Sequence, residues 1–290
     1  MKHGFLVFNP SAGMGRKSKS VVETVLRQFA RQGIDVAPSP TDPDGSVMTQ
    51  VRELVREKPD LMVAWGGDGT IHEVVNGLFG SKIPLGVIPG GTANVLAREL
   101  KIPFHPSDAI RVIAKQKPRS ISVGQADQRY FLLMVGIGFD SEVIRNVEWN
   151  LKKRIGTFAF GFSALDTARK YGYPKFSVVA DGEEKECVFA VISNARYYGA
   201  YFMLTPDADI SDDYLYICLF KEPGLASMFW YAFHAFKRTH MKLESVEILR
   251  ATELRATGPA DIAVQADGEL IGYLPMKFQI HPRSLEIFCP

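Results

Sequence analysis

Short apolar runs alternate with amphipathic stretches through the first 120 residues. Phe5-Leu6-Val7-Phe8 is a continuous apolar run, as expected of a strand buried on both faces. Val21, Val22, Val25, Leu26 and Phe29 then share one face at helical spacing, and Gly33 ends that helix. Ile34 to Ala37 predicts a second strand, and Val47, Val51, Leu54 and Val55 a second helix. Leu61 to Trp65 and Leu85 to Ile88 predict the third and fourth strands, each followed by a helix, over Ile71 to Leu78 and up to Leu100. Strands that alternate with helices in this way predict a parallel sheet covered on both faces.

Near residue 120 the pattern changes. Ile121, Val123, Phe131, Leu133 and Val135 alternate or run as strands around a polar turn at Asp127-Gln128. Strand-like runs follow at Lys175–Ala180, Cys187–Ser193, Tyr214–Phe220, Val246–Leu249, Ile262–Gln265, Met276–Ile280 and Leu285–Phe288. Hairpin signals such as Asp181-Gly182 and Asp267-Gly268 separate several of them. Helical stretches at about 151–172 and 224–239 interrupt this series. The expected fold class is α/β: a parallel-sheet α/β domain over 1–122 and a β-rich sandwich domain over 123–290. No low-complexity linker or internal repeat intervenes, so a cleft between the domains is the expected place for a site.

The turns after three of the strands carry the chemistry. Trp65-Gly66-Gly67-Asp68-Gly69-Thr70 ends one strand and opens a helix. Glycines bare backbone N–H groups there, and the first helical turn adds its positive end, which suits phosphate. Asp68 would repel a bare phosphate, so it is expected to face a metal ion or a hydroxyl. Asn9-Pro10-Ser11-Ala12-Gly13-Met14-Gly15-Arg16 and Pro89-Gly90-Gly91-Thr92-Ala93-Asn94 are further strand-end loops. In a parallel sheet all three gather at the carboxyl edge, where ligands bind. Neither a Walker A loop nor a Gly-x-Gly-x-x-Gly fingerprint is present.

Composition narrows the partners. The 290 residues carry a net charge of +2 and 46% hydrophobic residues, ordinary for a globular chain and giving no case for nucleic acid. Cys187, Cys218 and Cys289 have no zinc spacing and read as thiols of a reducing compartment. The N-terminus runs straight into a strand without an apolar leader, and no apolar run reaches the length of a membrane span. A cytoplasmic protein that meets any lipid from the membrane's inner face is the expectation.

Taken together these motifs resemble the diacylglycerol kinase catalytic-domain superfamily, most closely its soluble bacterial lipid kinases. The matching stretches are Asn9-Pro10-x-Ala12-Gly13, Gly66-Gly67-Asp68-Gly69-Thr70 followed by Glu73, Val74, Asn76 and Gly77, and Pro89–Asn94. They continue with Gly136-Ile137-Gly138-Phe139-Asp140, Asn194-x-x-x-Tyr198-Gly199, Pro206-x-Ala208, Asp212 and Asp267-Gly268-Glu269. The resemblance implies transfer of the γ-phosphate of ATP to a lipid hydroxyl, with diacylglycerol the leading substrate. Phosphatidylglycerol or a sphingoid base stand behind it.

The resemblance also implies roles for residues. Asn9, Ser11, Gly13, Arg16, Thr41, Gly66, Gly67, Gly69, Thr70, Glu73, Thr92 and Asn94 would hold ATP. Asp68 would organise the catalytic Mg²⁺, and Glu269 would take the proton from the lipid hydroxyl. Asp209, Asp212 and the carbonyl of Tyr214 would bind a structural Mg²⁺, although Asp213 replaces a glycine common there. His72 stands where the family often has asparagine, beside the nucleotide loop.

A NAD kinase is a second enzyme reading, weakened by the absence of a Gly-Ser-Thr-Ala-Tyr segment. A non-catalytic nucleotide- or lipid-binding protein is a third, against which Asp68 and Glu269 argue. The aromatic and basic mixture of 224–242, and that of Trp149, Lys152, Lys153 and Arg154, suits peripheral contact with a membrane. A homodimer stays open.

Overall fold

A computed structural model of the chain describes residues 2–10, 19–42, 44–146, 166–199 and 202–290. The chain divides into two compact units, one comprising residues 1–123 and 282–290 and the other residues 124–281. The chain thus leaves the first unit once and returns to it with its last nine residues.

In the first unit, β1 (Lys2–Phe8), β2 (Ile34–Pro40), β3 (Leu61–Gly66) and β4 (Leu85–Pro89) form a parallel sheet in the order β2-β1-β3-β4. Every residue of β3 and β4 is buried, which is why both read as unbroken apolar runs. β2 ends in Pro38-Ser39-Pro40 on the edge of the sheet, where the missing N–H groups cost little. The register pairs Phe8 with Pro40 and Trp65, Trp65 with Ile88, and Gly66 with Pro89. The carboxyl ends of all four strands therefore lie at one edge.

The helices of this unit are α1 (Lys19–Arg31), α2 (Val47–Val55), α3 (Asp68–Leu78), α4 (Val95–Glu99) and α5 (Pro106–Lys115). α1 buries Val22, Val25 and Phe29 at helical spacing. α2 is capped by Ser46, whose side chain accepts from the Thr49 N–H. α5 is not among the elements the hydrophobic pattern predicted. Its signal is local: Pro106 in its first turn, Asp108 beside it, and Ala109, Ile110 and Ile113 facing inward.

β5 (Pro118–Ala126) carries the chain out of the first unit, and β6 (Arg129–Phe131), β7 (Met134–Gly138) and α6 (Phe139–Asn146) follow in the second. Next come β8 (Phe176–Ala180), β9 (Glu183–Cys187), β10 (Phe189–Ser193), β11 (Tyr197–Tyr198), β12 (Phe202–Met203) and β13 (Leu215–Phe220). The series ends with α7 (Leu225–Phe236), β14 (Val246–Ala251), β15 (Glu253–Thr257), β16 (Ala263–Ala266), β17 (Glu269–Tyr273) and β18 (Met276–Phe288). One antiparallel sheet runs β14-β13-β10-β7-β16-β17, and β15 pairs with both β8 and the first half of β18. Val135, Ile137, Ala190, Ile192, Ile217 and Leu219 from the first sheet pack with Val178, Leu254, Ala256, Met276 and Phe278 from the second layer. This is the core of a β-sandwich.

The run Cys187–Ser193 is two strands, not one. Cys187 ends the charged strand β9, which pairs with β8, and Phe189 opens β10 in the other sheet. The runs 276–280 and 285–288 are one strand, β18, which continues through Pro282 and the left-handed Arg283. Of the expected helix at 151–172, residues 151–165 lie outside the described residues, as does the Trp149–Arg154 cluster. Among the described residues no helix is long and apolar enough to cross a membrane. All three cysteines are free and buried, and burial pushes the Cys187 thiol up to about 12.

Candidate active site

In the first unit, Gly66 closes β3 and Gly67 sits at the N-cap of α3 with extended backbone. Gly67 has no side chain to cap this helix, so among the described residues its first-turn N–H groups are the natural seat for an anion. Asp68, Gly69 and Thr70 form that first turn, and Glu73 lies one turn further along. Gly90 donates its N–H to the Gly66 carbonyl at 2.7 Å, which brings the loop after β4 onto the loop after β3.

The two loops touch by backbone. A Cβ on Gly91 would lie 2.5 Å from the Gly67 Cα, and one on Gly67 would lie 3.2 Å from the Gly91 Cα. The approach requires glycine at 91 and leaves little room for a side chain at 67. Asp68 adds a second link, its Oδ1 accepting the Val95 N–H at 2.8 Å.

Asn94 is buried and left-handed, with φ 46°. Its Oδ1 accepts the Gly91 N–H and its Nδ2 donates to the Gly91 carbonyl, both at 2.8 Å. Its amide thus shapes the glycine loop from within, while Thr92 is exposed on that loop. Thr41 follows β2, is buried, and donates its N–H to the Phe8 carbonyl at 2.8 Å. Asn9 directly follows β1, so Asn9, Thr41, Gly66–Thr70 and Thr92–Asn94 share the carboxyl edge. Ser11, Gly13 and Arg16 lie outside the described residues. His72 is buried on α3, where its carbonyl accepts from Asn76 Nδ2 at 3.0 Å.

In the second unit, Asp267 and Gly268 form the two-residue turn between β16 and β17, with φ of 49° and 89°. Two left-handed residues are what a tight type I′ hairpin requires. Asp267 is fully engaged by backbone: its carboxylate accepts the N–H groups of Leu132, Leu133 and Met134 at 2.7, 2.9 and 3.0 Å. Glu269 opens β17, and Arg129 Nη2 stands 3.7 Å from its Oε2.

The same turn is held from beneath by residues to which no role had been given. Gln265 accepts the Gly268 N–H at 2.8 Å through Oε1 and donates through Nε2 to Asp140 Oδ2 at 3.0 Å. Tyr198 donates its hydroxyl to the same Asp140 oxygen at 2.9 Å. Asp140 is buried beside Gly136, where any Cβ would collide with its carboxylate. Burial pushes the Asp140 carboxyl up to about 6, against the opposing pull of the Gln265 and Tyr198 hydrogen bonds. Gly136, Asp140 and Tyr198 were visible as motif residues, but Gln265 lay in an apolar run that offered no signal.

Asp209 and Asp212 form one compact loop. Asp209 Oδ1 accepts the Ser211 N–H at 2.9 Å, and Asp212 Oδ2 accepts the Asp209 N–H at 3.1 Å and the Tyr216 hydroxyl at 3.0 Å. Asp213 is not among the left-handed residues, so a side chain in place of glycine strains nothing there. Two carboxylates and the Tyr214 carbonyl are hard oxygen donors, the type that hard cations take.

Both halves of the chain match known families. Residues 3–126 match the model of the diacylglycerol kinase catalytic domain, and residues 133–289 match the YegS C-terminal NAD kinase beta sandwich-like domain. The chain is 27% identical over 295 residues to a diacylglycerol kinase of Bacillus subtilis, covering 100% of this chain and 97% of the relative. It is 25% identical over 293 residues to a diacylglycerol kinase of Staphylococcus saprophyticus, covering 100% and 96%. The crystal structure of a putative diacylglycerol kinase from Bacillus anthracis shares the fold, with a TM-score of 0.81 at 24% identity over 100% of this chain and 97% of that one. A parallel-sheet α/β domain followed by a β-sandwich domain is the architecture these matches share. The chain belongs to the diacylglycerol kinase catalytic-domain superfamily, and it is an enzyme of the bacterial lipid kinase type. Kinase membership brings ATP as the phosphoryl donor.

Proposed function

We propose that the enzyme transfers the γ-phosphate of ATP to the free hydroxyl of diacylglycerol, giving phosphatidic acid. The observation that carries the reading is the N-terminus of α3, which has glycine at its N-cap and starts one residue after the Gly67–Gly91 contact at the carboxyl edge of a parallel sheet. Backbone N–H groups in that position hold a triphosphate without a Walker A loop. The names of the full-length relatives support diacylglycerol as the acceptor.

Phosphoryl transfer asks for positioning and charge neutralisation more than for covalent chemistry. Mg²⁺ supplies the neutralisation across the phosphates when bound. Asp68 is the residue to orient it, because one carboxylate oxygen is fixed by Val95. Glu269 is assigned as the base that receives the hydroxyl proton, presented at the head of β17 by the rigid Asp267-Gly268 turn. Asp209, Asp212 and the Tyr214 carbonyl are assigned to a second, structural Mg²⁺. Buried free thiols fit a reducing, cytoplasmic setting.

The test is radiolabelled ATP with a panel of micellar lipids (diacylglycerol, phosphatidylglycerol, sphingosine), followed by chromatography of the products. Label is expected in phosphatidic acid, and label in another product alone would replace the substrate. Glu269→Ala is expected to fold normally and lose about 10²- to 10⁴-fold in kcat, the usual worth of a general base. Asp68→Ala is expected to be inactive at any Mg²⁺ concentration. For the structural site, Mg²⁺ is expected to raise the melting temperature of the wild type and not that of Asp212→Ala. Equal shifts in both would remove Asp212 from the assignment.

A further inference from the structure

α7 is apolar on two opposite faces. Its inner face places Met228, Tyr231 and Ala235 against the second unit. The Tyr231 ring lies 4.8 Å from Phe220, and its hydroxyl accepts the Glu222 N–H at 3.0 Å. Its outer face carries Phe229, Trp230, Phe233 and Phe236, which are 57%, 54%, 48% and 72% exposed. At 100° per residue these four side chains fall within about a third of the helix circumference. A helix that is apolar all round normally has both faces covered, and among the described residues this outer face is open.

Charge indicates what covers it. Between the exposed Glu222 and Glu244 there is no carboxylate, whereas Lys237, Arg238 and Lys242 cluster just past the helix end, and all three are exposed. Lys237 Nζ sits 4.6 Å over the Phe233 ring, and the Trp230 and Phe233 rings stack at 6.0 Å. Exposed Trp and Phe beside Lys and Arg, on a helix that itself carries no carboxylate, is the chemistry of the headgroup layer of an anionic bilayer.

We infer that the outer face of α7 is a membrane-docking surface, with Phe229, Trp230, Phe233 and Phe236 entering the interface and Lys237, Arg238 and Lys242 meeting anionic headgroups. The surface lies on a helix that carries none of the residues assigned to catalysis, so docking and chemistry are separable. A lipid kinase gains from it because its substrate does not leave the bilayer.

The experiment is sedimentation of the full-length protein with phosphatidylcholine vesicles, with and without phosphatidylglycerol. Trp230→Ala/Phe233→Ala is expected to weaken vesicle binding by about a hundredfold, roughly tenfold for each buried ring. Lys237→Gln/Lys242→Gln is expected to remove most of the phosphatidylglycerol dependence while leaving the weaker binding to phosphatidylcholine. Both variants are expected to keep the wild-type melting temperature and the wild-type kcat on a water-soluble short-chain form of whichever lipid is turned over. Unchanged vesicle binding by Trp230→Ala/Phe233→Ala overturns the inference. So does a dimer that these substitutions convert to a monomer without changing vesicle binding, which would assign the face to a second copy. Loss of kcat on the soluble substrate would also overturn it, by placing the helix in the reaction. If the wild type binds vesicles through α7 and phosphorylates no lipid, the docking surface stands and the kinase reading falls.

Discussion

Asp140 holds a buried carboxylate at a cost in folding energy, and the cost has a sign that can be measured. Its carboxyl titrates at 3.8 when solvated and at about 6 in the fold. Below the lower value both states hold the proton and the group contributes nothing. As pH rises between the two values the unfolded chain releases its proton first, so stability falls, and above about 6 the loss levels off at roughly 3 kcal/mol. Asp140→Asn has no such titration and can still accept from Tyr198 and Gln265 through its amide oxygen. Its stability relative to the wild type is therefore expected to improve by about 2 kcal/mol between pH 4 and pH 7 in urea titrations. A difference that stays flat with pH would show that the carboxyl keeps its ordinary value. Asp140 fixes Gln265, and Gln265 fixes the turn that presents Glu269.

At the scale of elements, the nucleotide side of the molecule rests on two loops that must meet without side chains. Gly91→Ala would set a methyl group 2.5 Å from the Gly67 Cα, and both groups are backbone-bound, so neither can swing aside. The loops are expected to separate at a cost of about 1–3 kcal/mol, the usual range for overpacking. ATP affinity is expected to fall more than lipid affinity, read as separate KM values. Equal changes in both would show that the contact shapes something other than the phosphate seat. This contact was half legible in the sequence. Three glycine-rich strand ends pointed to one sheet edge, because parallel strands that alternate with helices leave no other arrangement. Which glycine touches which depends on register, and no periodicity reports that. The roles of Asn94 and Asp267 were hidden for the same reason. Both carry the polar groups of ligand-binding residues, and both spend them on neighbouring backbone.

For the whole molecule, the sequence read as two consecutive domains because the change from helical to β-rich patterning is visible near residue 120, whereas the return is not. His281-Pro282-Arg283-Ser284 looks like a turn between two strands, yet β18 runs straight through it, and its second half belongs to the first unit. Leu285, Ile287 and Phe288 are buried there, and Ile287 pairs with Leu85 on the edge of β4 that the parallel sheet would otherwise leave open. Arg283 donates its N–H to Ser122 Oγ at 3.1 Å, a further tie across more than half the chain. The first unit is thus complete only when both ends of the chain are present, and a cut at residue 122 removes three fully packed apolar side chains and exposes a strand edge. Three such side chains amount to about 5–9 kcal/mol of burial, comparable with the whole stability of a domain. A fragment of residues 1–123 is expected to show no cooperative thermal transition by circular dichroism. The same fragment with residues 282–290 joined through a flexible linker is expected to regain one. A sharp transition in the shorter fragment would show that the returning strand is an accessory to the first unit rather than part of its core.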